Sequence, residues 1–124
     1  MDEADRGGRD FLRATAAEAR ARELPPGELS VILATRGTLS LEYYAPRGTD
    51  VQEPHEQDEL YVVIAGSGTF VCGGRNVPFG PHDVLFVPAR MPHRFEGFGD
   101  DFEAWVIFYG PRGGEARSGS AENL

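Results

Sequence analysis

The stretch 53-EPHEQDELYVVIAG-66 sets four acidic side chains, a histidine and a glutamine directly before an apolar run that ends in glycine. In an extended chain alternate residues share a face, so Glu53, His55, Gln57, Glu59, Tyr61 and Val63 have one parity. Leu60, Val62 and Ile64 have the other, and Glu56 and Asp58 fall outside the ligand parity as solvated positions. Burying Tyr61 and Val63 brings Glu59 and His55 inward with them, and a buried carboxylate needs a partner. A second stretch, 80-GPHDVLFVPARMPHRF-95, opens a later strand with His93. Imidazole and carboxylate donors from two strands are the chemistry of a divalent metal site, for which Zn, Fe, Ni, Mn and Cu all qualify.

Such donors need a rigid frame, and the chain is patterned for one. Between residues 10 and 23, DFLRATAAEARARE is rich in helix formers, with Asp10 as N-cap and Pro25-Pro26 as stop. From there period 2 prevails. Strands are expected at 29–35, 38–45, 59–65, 69–72, 76–79, 83–88, 93–98 and 101–109. Gly73-Gly74 makes a tight hairpin, and Pro78 restricts its strand to a sheet edge. In the second strand Leu39, Leu41, Tyr43 and Ala45 share one face, and Ser40, Glu42 and Tyr44 the other. Seven or eight short antiparallel strands form either a sandwich or a small closed barrel.

Length and composition agree with one compact unit. The chain has 124 residues, sixteen of them glycine and nine proline, which suits frequent turns between strands. The net charge of -8 argues against nucleic acid or an anionic membrane surface as partner. All basic residues are arginine, and they do not cluster. Cys72 is the single cysteine, so no intramolecular disulfide forms and a reducing, cytoplasmic location is expected. Its default role is a small buried hydrophobe. The acidic start MDEADRGGRDF lacks the apolar core of a signal peptide, and no apolar run approaches membrane-spanning length.

With both stretches in hand, the chain resembles the cupin superfamily, small single-domain conserved-barrel type. The family's first motif reads G-x5-HxH-x3,4-E-x6-G, and His55-x3-Glu59-x6-Gly66 fits its second half. The second motif reads G-x5-PxG-x2-H-x3-N, and Pro88-x4-His93 fits its centre. Glu53 stands where the first motif has its leading histidine, His82 and Arg90 stand where the second has glycines, and Gly97 stands for its asparagine. His82 is therefore expected as an exposed turn residue that tolerates positive φ.

The resemblance implies an all-β fold, a double-stranded β-helix or jelly-roll barrel with a short N-terminal helix. The expected division is an N-terminal arm and helix over 1–27, the barrel over 28–111 and a disordered tail over 112–124. The ligand set implied is His55, Glu59 and His93, with Glu53 or Gln57 in fourth place. The cofactor implied is a divalent ion: Fe, Mn, Ni or Zn. Tyr43, Tyr61, Phe86 and Phe95 are expected to line a pocket for a small-molecule ligand, with Arg90, and Arg94 beside it, available to an anionic substrate. The function implied is a metal-dependent enzyme of dioxygenase or isomerase type, the alternative being a non-catalytic binding module. The apolar alternate faces of 29–35 and 102–109 point to a homodimer.

Overall fold

A computed structural model describes residues 11–24, 28–50 and 52–117 of the protein. One short helix, α1 (Ala16–Arg20), precedes eight strands. These are β1 (Ser30–Arg36), β2 (Leu39–Tyr44), β3 (Asp58–Ala65), β4 (Gly68–Cys72), β5 (Arg75–Phe79), β6 (Val84–Val87), β7 (His93–Glu96) and β8 (Glu103–Tyr109). They form a five-stranded sheet in the order β1-β2-β8-β3-β6 and a three-stranded sheet in the order β5-β4-β7. Every pairing is antiparallel. The eight expected strands all occur, and Pro78 lies in the edge strand β5. The result is the expected all-β jelly roll with a short N-terminal helix.

Alternation along the strands builds the space between the sheets. Tyr44, Tyr61, Val63, Phe70, Phe79, Val87, Phe95, Phe102, Ala104 and Val106 form one buried cluster. Phe95 is its hub, with ring centroids 4.7 Å from Phe102, 4.8 Å from Phe70 and 4.9 Å from Tyr61. Burial of each such side chain contributes roughly 1.5–3 kcal/mol. That is the scale needed to hold a polar group in the same interior.

Two turns depend on glycine. Gly73 and Gly74 both take positive φ, 58° and 80°, as the β4–β5 hairpin requires. Gly66, at φ 91°, closes β3 where a Cβ would stand 2.6 Å from the Phe102 Cα. Among the described residues the only non-glycine positions with positive φ are His82 and Arg90, at 72° and 69°. These are the two positions where the second motif has glycine, and both side chains are exposed.

The helix is shorter than the expected span, because Thr15 caps it from within that span. The Thr15 hydroxyl accepts from the Glu18 amide at 3.1 Å and donates to Glu18 Oε1 at 2.8 Å. Asp10, Pro25 and Pro26 lie outside the described residues. α1 covers the outer face of the larger sheet, packing Ala19 with Tyr43 and Ala45 against Val31, Leu33, Ile64 and Trp105. Arg20 clamps it there through two bonds to Glu103, Nε to Oε2 at 2.6 Å and Nη2 to Oε1 at 2.8 Å. The Tyr43 hydroxyl donates to the same carboxylate. Of the segment from 112 onward, residues 112–117 are described. There Gly113 N donates to Glu56 O at 2.7 Å and Glu115 N to Asp58 Oδ2 at 2.9 Å.

The clamp sets a pH dependence. The Arg20 hydrogen bond outweighs burial and, with Tyr43, holds the Glu103 carboxyl below its ordinary 4.5. A depressed folded-state pKa gives stability that is present above the unfolded value and lost as pH falls through the folded one. Arg20→Gln is therefore expected to lower Tm at pH 7 by about 4 °C or more, with the deficit shrinking toward pH 3. Thermal melts of both proteins at the two pH values check this; an equal deficit at both would contradict it.

Candidate metal centre

β3 aims Glu59 and Tyr61 between the sheets, on the face they share with Val63. From the facing sheet β7 brings His93, paired with Cys72 of β4. The loop before β3 adds His55 and Gln52. One ligand atom from each of His55, Glu59 and His93 lies within 4.8 Å of the others. His93 Nε2 is 3.0 Å from Glu59 Oε1, and His55 Nε2 is 4.0 Å from the same oxygen. The group opens onto a cavity of about 290 Å³, whose lining includes Gln52, His55, Tyr61 and Phe108. His55 stands edge-on to Phe108 at 4.9 Å between centroids.

Hydrogen bonding around the group fixes which way its lone pairs point. His93 Nδ1 is 2.9 Å from the Met91 carbonyl oxygen. A carbonyl only accepts, so Nδ1 carries the proton and Nε2 of the neutral ring offers a lone pair. This backbone anchor is the usual outer partner of a metal-binding histidine. Gln52 is oriented in the same way: its Nε2 donates to Asp50 Oδ2 at 2.7 Å and to the Tyr44 oxygen at 3.3 Å. Its Oε1 must then face the site, 3.2 Å from both His55 Nε2 and His93 Nε2 and 3.0 Å from the Tyr61 hydroxyl.

Glu59 is 1% exposed, yet neither of its oxygens has a hydrogen-bond partner among the described residues. The 3.0 Å approach of His93 Nε2 to Oε1 is close enough for an ion pair but lacks hydrogen-bond alignment. The two groups form an ion pair when the ring is protonated and are two electron-pair donors when it is neutral. Burial favours the neutral His93 ring, but the contacts with Glu59 and Met91 and the negative charges nearby prevail and raise its pKa. Burial and then the Glu59 charge push the Tyr61 phenol far above its ordinary value, so it stays a proton donor. Converging donors of this kind, a carboxylate, two imidazoles and an amide oxygen, fit a divalent ion of the Fe, Mn, Ni or Zn type.

The expected site residues divide sharply. His55, Glu59, His93 and Tyr61 come together. Gln57 points away: its Nε2 donates to Thr38 O at 2.9 Å and Gly110 O at 3.0 Å. Glu53 is exposed and outside the cluster. The parity argument fails here because residues 52–57 are irregular and the strand begins only at Asp58. Tyr43 belongs to the outer face under α1. Phe86 alternates with the inward Leu85 and Val87, and Phe95 is core, 1% exposed. Arg90 pairs with Glu56 at 3.0 Å, and Arg94 pairs with Glu96. Neither arginine lines the cavity.

One further expectation is corrected. Asp58 is buried rather than solvated, accepting from Ala89 N and Glu115 N, each at 2.9 Å. The side-chain oxygen that stands beside both histidines is that of Gln52, a residue that sequence reasoning passed over. Behind it stands Asp50, a buried carboxylate that accepts from Tyr44, from Gln52 and, at 2.8 Å, from the Phe95 amide. No periodicity marks either residue, since both precede the strand.

Substitution separates the three claimants to fourth place. Gln52→Ala is expected to weaken metal binding by about tenfold or more, with Glu53→Ala and Gln57→Ala within about twofold of wild type. Chelator competition titrations measure all three; a tenfold loss in Gln57→Ala with none in Gln52→Ala would reverse the assignment.

Comparison with known proteins agrees with the fold. The family model for the cupin domain matches residues 40–108. An uncharacterized protein of Streptomyces coelicolor is 35% identical over 63 residues, a match covering 51% of this chain and 60% of that protein. A Rhizobium leguminosarum protein of unknown function superposes with a TM-score of 0.68 at 19% identity, over 83% of this chain and 100% of that one. A cupin superfamily protein from Desulfitobacterium hafniense superposes with a TM-score of 0.58 at 24% identity, over 73% of this chain and 85% of that one. At these identities the structural likenesses speak to fold alone. The family match runs from β2 almost to the end of β8 and includes Gln52, His55, Glu59 and His93. The chain belongs to the cupin family.

Proposed function

We propose that the protein is a metal-dependent enzyme of dioxygenase or isomerase type, acting on a small organic molecule inside the barrel. The observation that carries this reading is Glu59, a buried carboxylate with no hydrogen-bond partner among the described residues, whose Oε1 lies 3.0 Å from His93 Nε2 and 4.0 Å from His55 Nε2. An anion so placed costs several kcal/mol unless a cation answers it. His55, Glu59, His93 and Gln52 would hold the ion. When bound, the ion supplies either Lewis-acid polarisation of a substrate oxygen or a centre for dioxygen chemistry.

The chain's own residues do the rest. Met91 fixes the His93 tautomer, and Asp50 fixes the Gln52 amide. Tyr61, kept protonated, donates its hydroxyl to Gln52 Oε1 at 3.0 Å and so fixes that oxygen beside the histidines. Tyr44 and Phe108 narrow the approach and restrict water. A second reading, a non-catalytic binding module, draws on the same geometry. Among the described lining residues, no acid or base stands clear of the proposed ligands except the carboxylates of Glu28 and Glu42 and the phenols.

Metal content tests the site. After reconstitution, mass spectrometry is expected to find about one ion per wild-type chain and none in a His93→Ala, Glu59→Ala protein; an empty wild type would refute the assignment. In metal-free protein Glu59→Gln is expected to raise Tm, because it removes an unanswered charge, whereas in metal-loaded protein it is expected to lower it. Oxygen uptake with diketones, phenols and thiols, and isomerisation assays on hydroxycarbonyls, separate the enzyme from the binder. Flat results across both panels favour the binder.

The homodimer rests on the exposed edges of the larger sheet, where Ile32 of β1 is 56% exposed and Val84 of β6 is 62% exposed. Light scattering at micromolar concentration is expected to give twice the chain mass; the monomer mass would refute it. The cytoplasmic assignment rests on the single unpaired Cys72.

A further inference from the structure

We infer that the substrate carries a positive charge, an ammonium or quaternary ammonium, at the end remote from the ligand cluster and an oxygen donor at the other. This rests on the metal-centre reading above and adds the charge and length of the molecule it acts on.

The register across the larger sheet supplies the geometry. Tyr61 of β3 is paired with Val106 of β8, and Val106 is paired with Glu42 of β2. The three lie in one row, so all point to the inner face. Adjacent strands are about 4.8 Å apart, which places the Glu42 backbone about 10 Å from that of Tyr61. The next inward row runs from Glu59 through Phe108 to Ser40. Across the cavity, then, a carboxylate on β2 faces the same space as the donor cluster on β3, with apolar Val106 and Phe108 between them.

Among the described residues no cationic side chain pairs with that carboxylate. Half-buried Glu42 accepts only from neutral hydroxyls, Ser30 at 3.1 Å and Ser40 at 3.3 Å. Exposed Glu28 lines the same cavity. Among the described lining residues there is no arginine, although the chain has twelve basic residues. The net charge of -8 adds to the negative field. At the β2 side of the cavity an anionic group meets repulsion, while a cation is met by the carboxylates of Glu42 and Glu28, with the aromatic Tyr44 and Phe108 in the same lining. The arginines expected to greet an anion are engaged elsewhere, Arg90 with Glu56 and Arg94 with Glu96.

Three probes of equal length and different charge test this: 5-aminopentan-1-ol, pentane-1,5-diol and 5-hydroxypentanoate. Their dissociation constants are read by NMR shift titration on zinc-loaded and metal-free protein, with zinc stoichiometry measured on the same samples. The amine is expected to bind about tenfold or more tighter than the carboxylate, with the diol between. Glu42→Gln is expected to shrink that ratio by about fivefold or more, and rising salt to shrink it further. Glu28→Gln, at an exposed position where folding is not at stake, is expected to act in the same direction. In metal-free protein Glu59 by itself favours a cation, so the change on Glu42→Gln is what assigns the effect to the β2 side. Equal or tighter binding of 5-hydroxypentanoate, an order indifferent to both substitutions, or no shifts with any probe would overturn the inference. Zinc failing to bind while the Glu42-dependent order persists would overturn the metal reading alone.

Discussion

Glu59 is the charge around which the interior is arranged. A carboxylate enclosed between two sheets, with no donor for either oxygen, is an unfavourable element in a hydrophobic core. The fold tolerates it because the aromatic cluster around Phe95 supplies burial on a larger scale. The groups around it are fixed from outside: Met91 holds the His93 ring, and Asp50 holds the Gln52 amide. A protein that needed only stability would place a hydrophobe there. The arrangement makes sense once a cation is part of the folded state, since binding energy for the ion is then also folding energy.

The same strand logic that builds the core builds the site. β3 alternates Glu59, Tyr61 and Val63 inward, so the ligand, the proton donor and the core anchor are set by one backbone. β7 does likewise from the facing sheet, with His93 two residues before the hub residue Phe95. Moving either ligand would require moving a residue that packs the centre of the barrel. That is how a rigid scaffold gives metal donors fixed positions.

How much of this could be read from the sequence follows from where each residue sits. Glu59, His93 and Gly66 were legible because they stand in or beside regular strands, where period 2 and motif spacing carry through to space. Gln52 was not, because the parity rule assumes extended backbone and residues 52–57 bend before β3 begins. The same bend explains Gln57, whose amide serves two loop carbonyls. Tyr43 and Phe86 show a different limit: alternation says which residues share a face but not which face is inside. β2 has both faces covered, one by the barrel and one by α1, so its aromatic residues on either face are buried. Asp58 was misjudged because a carboxylate that accepts two backbone amides is content in the interior, and those amides come from segments distant in sequence.

Asp50 ties these threads in a way that outlasts the question of chemistry. Its carboxylate takes the Phe95 amide from the smaller sheet, the Tyr44 hydroxyl from the larger one, and the Gln52 amide that turns a donor oxygen toward the ligands. One anion thus serves as both the seam between the sheets and the anchor of the Gln52 amide. A change that parts the sheets also loosens Gln52, so the packing of the barrel and the geometry of the candidate site are not independent of one another.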